Sequence, residues 1–367
     1  MKTVLVTEHT PRLDSGHGLR SYAVARALAA GAPLDVVYVV FGGGEPDPEF
    51  RVPERFRLHP VEPSRGARRA ALYARARLAG IPHGFARGIS PELLRAVDAQ
   101  APARVVADGP VAAAALLVEG RHAFAYNAHN VESDLRPRMG DAELGSARSL
   151  RRFERRLLGA AEESWMVSER DMALAEELCP GARLRLVPNA VDVAAIAPVE
   201  PDLAAGRAVF VGSFDYEPNR RALRFLLDEV MPRVWRERPQ ARLRVAGRGA
   251  SGLEVDERVE LLGYVEHIRQ AYEGATCVAV PLLEGGGSPL KFIEALAYGL
   301  PVVATGSAAD GLAVEPDRHY RRADGADAFA GALAAALRGE ASGLGREGRA
   351  LVEARYSIEA VARALAP

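Results

Sequence analysis

The residues of this chain best suited to chemistry lie between 281 and 305, where a glycine-rich loop runs into a helix that carries a lysine and a glutamate. Thr276 to Val280 is a β-branched and apolar run and predicts a buried strand. Gly285, Gly286 and Gly287 follow, Ser288 reads as an N-cap, and Pro289 takes the first helical position. Phe292, Ile293, Leu296 and Ala297 recur at helical spacing. Gly299 ends the helix, Pro301 bars its continuation, and Val302 to Ala304 is a short buried strand. Glycines before a helix leave backbone N–H groups free, and the helix dipole favours an anion there. Lys291 and Glu294, at i and i+3, share a helical face beside that anion site. A cation for phosphate and a carboxylate for ribose hydroxyls make nucleotide chemistry. An ordinary loop-to-helix turn would carry the same glycines.

One compositional fact separates the two readings. The chain has 47 lysines and arginines, and only Lys2 and Lys291 are lysines. Where a generic cation is wanted this sequence uses arginine. A lysine at 291 marks a place for a compact point charge where a planar fork does not fit.

The elements that must position these groups alternate between strand and helix, which predicts parallel sheets and an α/β fold. Val4 to Val6 is a strand, the loop His9 to His17 follows with Gly16 and Gly18 near its end, and a helix runs from about Leu19 to Ala30. Leu34 to Val40 is the next strand, and Gly42 to Pro53 is a Gly/Pro-rich loop. Arg65 to Leu78 reads as an arginine-rich helix with a solvated face, leaving peripheral membrane contact open. Arg104 to Asp108 and Ala123 to Tyr126 are buried strands, and the second leads into Asn127, His129, Asn130 and Glu132. A polar cluster at a strand's carboxyl end is where α/β sheets place ligands. A long helix is expected over 143–160, and a strand over Glu163 to Val167 leads to a helix start at Ser168 to Asp171. Arg183 to Val187 is the last strand of the first half. The prolines of Ala194 to Gly206 suggest an interdomain linker.

The second half repeats the pattern. Ala208 to Val211 leads to Gly212-Ser213 and a helix from about Arg220. Arg242 to Val245 ends in Ala246-Gly247-Arg248-Gly249, and Val259 to Leu262 ends in Gly263-Tyr264-Val265. Two Rossmann-like domains facing a central cleft follow as the expected architecture. After Ala326 the chain is helical.

The pattern Gly287-x-x-x-Lys291-x-x-Glu294-Ala295-x-Ala297-x-Gly299-x-Pro301 through Thr305 resembles the donor-site signature of GT-B glycosyltransferases of family 4, nearest the bacterial polysaccharide type. The resemblance extends along nearly the whole chain. It covers His129-Asn130-x-Glu132, Pro188-Asn189-Ala190-Val191-Asp192 and the terminal Tyr356-Ser357-Ile358. It implies an acceptor-binding domain over 1–192, a donor-binding domain over 193–356, and a C-terminal helix 357–367 that crosses back onto the first. It also implies retaining, metal-independent transfer of a sugar from a nucleotide-diphosphate sugar, with no cofactor, to a sugar, lipid-linked or small natural-product acceptor. In that reading His129 meets the donor sugar, and Lys291 meets the diphosphate with the backbone of Gly286, Gly287, Ser288, Pro289 and Leu290. Glu294 holds the ribose, Tyr264 and Val265 with Arg248 border the base, and the loop containing Gly16 faces donor and acceptor.

Two departures from the family pattern stand out. Ser213 and Asn219 occupy places where many members have arginine and lysine, so phosphate binding leans on Lys291. Gly286 replaces the first carboxylate of a Glu-x₇-Glu motif.

Composition narrows the remaining classes. A length of 367 residues predicts two domains, and 49% hydrophobic content supplies their cores. A formal net charge of −1 gives no bulk attraction for nucleic acid. Cys179 and Cys277 read as thiols of a reducing compartment, and the eight histidines lack metal-site spacing. The N-terminus reads as a strand and no apolar run could span a bilayer, so a soluble cytoplasmic protein is expected. A nucleotide-sugar epimerase of the same architecture, or a sugar-nucleotide sensor without turnover, are the competing functions. An epimerase would isomerise the donor without acceptor.

Overall fold

The computed structural model describes residues 2–40, 44–64, 66–119, 121–138, 146–250, 252–284 and 289–366. By internal contacts the chain divides into two compact units, 1–189 with 361–367, and 190–360.

The first unit is built on a seven-stranded sheet: β1 (Thr3–Thr7), β2 (Leu34–Val39), β3 (Phe56–Val61), β4 (Arg104–Asp108), β5 (Ala125–Asn127), β6 (Glu163–Met166) and β7 (Leu184–Leu186). Its order is β3-β2-β1-β4-β5-β6-β7, and every pairing is parallel. Parallel strands need crossover helices that cover both faces, which is why β1, β2 and β4 read as near-continuous apolar runs. Val4, Val6, Val37, Val105 and Ala107 pack under helical Leu93, Val97, Ala114 and Phe153. The chain fills one side of β1 with β2 and β3, then returns to the other side with β4. The edge between the carboxyl ends of β1 and β4 is therefore the sheet's switch point, which neither crossover covers.

The second unit repeats this plan with six strands: β8 (Arg207–Val211), β9 (Arg242–Ala246), β10 (Val259–Gly263), β11 (Cys277–Val280), β12 (Val302–Ala304) and β13 (Arg321–Arg322). The order is β10-β9-β8-β11-β12-β13, again all parallel, and the switch point lies between β8 and β11. The doubly wound α/β fold expected from the alternation is the one found, twice.

Several expected boundaries move. The first helix is Gly16–Leu28, capped by Ser15, whose hydroxyl accepts from the Gly18 amide at 3.1 Å. Gly16 therefore opens the helix instead of lying in the preceding loop. The helix expected over 143–160 is described from Ala147 to Ala160 with Ser146 as its cap. The helix after β8 spans Glu217–Arg224, with a proline in its first turn. The supposed linker 194–206 is packed onto the second unit. Its Val199 amide donates to the Tyr298 carbonyl, its Asp202 amide to that of Ala275, and the Arg349 guanidinium bonds the Ile196 carbonyl. Edge strand β3 escaped the pattern because Arg57, His59 and Pro60 interrupt its apolar run.

Three glycines end the strands beside the second switch point. The Gly212 amide donates to the Ala246 carbonyl at 3.0 Å, and the Gly247 amide to the Gly263 carbonyl at 2.7 Å. Gly247 has φ +134°, and a Cβ there would lie 1.8 Å from the Gly212 carbonyl oxygen. Gly247→Ala should therefore cost more than about 1 kcal/mol. Thermal melts should show this as a fall in Tm of at least about 3 °C, and an unchanged Tm would contradict the close approach.

Candidate functional site

The second unit gathers one cluster at the β8/β11 switch point. The loop leaving β8 carries Gly212 and Ser213, and the helix after it presents Asn219. The loop leaving β11 ends at Pro289, the residue before the helix Leu290–Ala297. Helix onset is thus one residue later than expected. Gly286, Gly287 and Ser288, including the proposed N-cap, lie outside the described residues.

Lys291, in the first turn of that helix, donates from Nζ to the Asn219 side-chain oxygen. Asn219 is buried and in turn donates from Nδ2 to the Ser213 carbonyl at 2.7 Å. The ammonium lies 5.5 Å from the centre of the Phe210 ring, on β8, and a Cβ at Gly212 would come within 3.3 Å of it. Lysine fits here because the space is narrow: one face is an aromatic ring, another is backbone without a side chain. Burial pushes the Lys291 ammonium down to about 7, while Glu294 pulls it up. Glu294 accepts from the Tyr272 hydroxyl at 2.8 Å, and Tyr272 stacks on Tyr298 at 4.4 Å. Burial raises the Glu294 carboxyl to about 7 against the pull of Tyr272 and Lys291. A bound phosphate would hold Lys291 charged, and the pair is poised for that.

The other expected donor-site residues take distinct positions around this unit. The Arg248 carbonyl accepts from the Phe214 amide at 2.7 Å, which ties the loop after β9 to the loop after β8. Tyr264, following β10, is 69% exposed, and Val265 is half-buried. Glu284 ion-pairs with Arg221 of the helix after β8.

The first unit gathers a second cluster, at the ends of β1, β4 and β5. Register sets Thr7 beside Asp108 and Asp108 beside Asn127. Asp108 is fully buried, and its Oδ1 accepts from Asn127 Nδ2 at 2.7 Å and lies 2.8 Å from His129 Nε2. Its Oδ2 accepts from the Ser21 hydroxyl at 2.5 Å. Burial alone would raise this carboxyl, but His129, His17 and Ser21 outweigh it and hold it well below the usual range. Arg20, also buried, reaches from the first helix to Asn127 Oδ1 at 2.7 Å, the Val187 carbonyl at 2.9 Å and Asn189 Oδ1 at 3.1 Å.

The imidazoles of His17 and His129 pack against each other, with centres 3.9 Å apart and planes tilted by 36°. Burial first, then the neighbouring His129, pushes His17 down to about 3, so it is neutral. The loop holding His129 is fixed from behind by Glu154, whose carboxylate accepts from the amides of Glu132 and Ser133 at the start of the helix Glu132–Arg138. Burial raises Glu154 to about 7 despite those bonds. Gly16, expected to face the ligands, begins the helix that carries His17, Arg20 and Ser21.

Sequence spacing missed this convergence because its members lie up to 169 residues apart, as Arg20 and Asn189 do. Glu8, His9 and His17 form one group whose ligand-type atoms lie within 4.8 Å of one another, and His17, Asp108 and His129 form another. In the second group, His129 Nε2 is already engaged by Asp108 Oδ1 at 2.8 Å. In the first, the Arg87 guanidinium already sits 3.1 Å from Glu8 Oε1 and opposes a further cation.

His17 gives a pH test. Its folded value, about 3, lies below the unfolded 6.5, so the unfolded chain takes up a proton first as pH falls. Its contribution is complete above 6.5 and is lost between 6.5 and about 3. Glu154 and Glu294 act with the opposite sign in part of this window, so the informative quantity is wild type minus His17→Gln. That difference should shrink by up to about 1.4 kcal/mol per pH unit below 6.5 in denaturant titrations. A pH-independent difference would refute a buried neutral His17.

Comparison with known proteins matches part of the second unit to a family model and the whole fold to solved structures. Residues 205–338 match the family model described as glycosyl transferases group 1. No curated protein sequence matches the chain. Among solved structures, sucrose-phosphate synthase from Thermosynechococcus elongatus is similar with a TM-score of 0.73 and 17% identity, over 99% of this chain and 97% of that one. HepE from Anabaena, solved with UDP and glucose, is similar at 0.70 and 13%, over 99% and 98%. The apo lipopolysaccharide outer core galactosyltransferase WaaB is similar at 0.63 and 13%, over 99% and 98%. Among the described residues no helix is long and apolar enough to cross a membrane.

Proposed function

On this GT-B frame, whose residues 205–338 match the glycosyl transferases group 1 family, we propose that the chain is a retaining, metal-independent glycosyltransferase of the family 4 type. It moves a sugar from a nucleoside-diphosphate sugar to an acceptor hydroxyl. The observation that carries this reading is the single lysine of the second unit, set against Asn219, Gly212 and Phe210 at the β8/β11 switch point. HepE, a structural neighbour, has been solved with UDP-glucose, which supports a nucleotide-sugar as the ligand class.

In this mechanism the bond between the anomeric carbon and the phosphate oxygen breaks with its electron pair leaving on the diphosphate. The Lys291 ammonium and the N–H groups at the start of its helix stabilise that charge as it develops. The acceptor oxygen bonds to the anomeric carbon on the same face, and its proton passes to the departing phosphate. His129 approaches the donor sugar, and Glu294, oriented by Tyr272, takes the ribose hydroxyls. Ser213 and Asn219 supply no charge, so the diphosphate rests more heavily on Lys291, helped by Arg248 of the loop after β9.

Lys291→Ala should lower kcat roughly 10²–10³-fold. Lys291→Arg should restore only a small part, because the ring and the glycine backbone leave no room for a guanidinium. Initial rates, with circular dichroism as the folding check, decide this; full activity in Lys291→Arg would move the anion site elsewhere. Glu294→Gln keeps an acceptor for Tyr272 but should weaken the free nucleoside diphosphate roughly tenfold or more in calorimetry. Unchanged affinity would remove Glu294 from the nucleotide site.

A further inference from the structure

Two helices of the first unit turn rows of arginine outward. The helix Gly66–Leu78 carries Arg68, Arg69, Arg75 and Arg77, all exposed, and no acidic residue; it buries only Leu72 and Ala76. The helix Ala147–Ala160 carries Arg148, Arg151, Arg152, Arg155 and Arg156, also exposed. These five fall at i, i+3, i+4, i+7 and i+8, so they form one stripe, opposite the core residues Leu150, Phe153, Leu157 and Leu158. The only carboxylate of that helix, Glu154, is buried and accepts from the amides of Glu132 and Ser133. Like charges four residues apart destabilise a helix. Elsewhere the chain sets acids beside helical arginines, as Glu273 beside Arg269 and Glu353 beside Arg349. On these two helices it does not.

The fold brings the two rows together. The Arg156 guanidinium donates to the carbonyl of Ala79, the residue after the helix Gly66–Leu78. Phe153 stacks on Phe85 of the short helix His83–Gly88, with ring centres 5.2 Å apart, and His83 packs on Tyr73. Leu78 stands at this junction, between Arg77 and the Ala79 that Arg156 holds, and it is 90% exposed. Arg68 pairs with Glu92 and Arg151 with Glu177. Arg77, Arg148, Arg152 and Arg155 form no ion pair among the described residues. The remaining exposed residues of the first row are small and apolar: Ala67, Ala70, Ala71 and Ala74. Guanidinium groups around an apolar strip match the boundary of an anionic bilayer, where phosphates lie above acyl chains. Nucleic acid is the poorer match. Its backbone is also contacted by Asn, Gln, Ser and Thr, which the helix Gly66–Leu78 lacks, and it would leave Leu78 in water.

We infer that the face formed by the helices Gly66–Leu78 and Ala147–Ala160 docks on the surface of an anionic bilayer, with its arginines on lipid phosphates and Leu78 at the acyl boundary. The chain's formal net charge of −1 gives no attraction at long range, so docking depends on presenting this one face. The inference does not rest on the transferase reading.

Co-sedimentation of the full chain with vesicles tests it. Vesicles of equal parts phosphatidylcholine and phosphatidylglycerol should bind the protein at physiological ionic strength, release it at high salt, and bind far more than vesicles of phosphatidylcholine alone. Replacing three arginines of the second row together (Arg148→Gln, Arg152→Gln, Arg155→Gln) should lower partitioning roughly 100-fold, about fivefold for each charge. Leu78→Ser, on the other helix, should lower it roughly tenfold and keep the salt dependence. The same charge change on exposed arginines of the second unit (Arg224→Gln, Arg236→Gln, Arg242→Gln) should leave binding close to wild type, which separates this face from net charge. Circular dichroism checks that each variant is folded; all seven positions are exposed, and Leu78→Ser carries the test if the triple variant is not folded. Duplex DNA and heparin are the polyanion controls. The inference is overturned by any of four results: no preference for phosphatidylglycerol, full binding by the folded triple variant or by Leu78→Ser, an equal loss in the second-unit variant, or tighter binding to DNA or heparin than to the vesicles. None of these readouts uses a nucleotide-sugar or turnover, so they fail separately from the transferase reading.

Discussion

An all-parallel sheet delivers every strand to the same edge, and where its crossovers diverge that edge is left uncovered. The rest of this structure follows from that constraint, applied twice. In the first unit it opens the edge between β1 and β4, and in the second between β8 and β11. Polar side chains that would be costly inside either core are tolerated there because the strands themselves end. Asp108 closes β4, and Lys291 stands in the first turn of the helix that follows the loop leaving β11.

The two edges are chemically unlike. The second is a cation site with neutral support: an ammonium held by an amide oxygen, an aromatic face and glycine backbone. Burial lowers the Lys291 ammonium and raises the Glu294 carboxyl toward each other, so a phosphate there meets a group whose charge it stabilises. The first gathers an ionised Asp108, a neutral His17 packed against His129, and a second buried carboxylate, Glu8. Arg20 donates to Asn127, Asn189 and the Val187 carbonyl and so ties the strand ends together.

Much of this was legible in the sequence, and the failures have physical reasons. The apolar runs of β1, β2 and β4 announce themselves because buried parallel strands cannot alternate. Lys291 was conspicuous because arginine is used almost everywhere else. Edge strand β3 was missed because one open side lets Arg57, His59 and Pro60 break its pattern. The start of the first helix was missed because its cap, Ser15, precedes two glycines that read as loop. The role of Asn219 was hidden for a different reason. Read as the absence of a lysine, it turned out to be the partner that aims Lys291. The cluster of Glu8, His17, Asp108 and His129 had no local signature, since only sheet register sets Thr7, Asp108 and Asn127 in one row.

The central claim is that the β8/β11 switch point is where a nucleotide-sugar's diphosphate binds. Amide hydrogen exchange, with and without a saturating nucleotide-sugar chosen by thermal shift, locates that site without relying on any substitution. The account predicts slowed exchange in the segment 212–219 after β8 and in the first turn of the helix Leu290–Ala297, with the far ends of the same strands unchanged. Protection that leaves both segments untouched would contradict it.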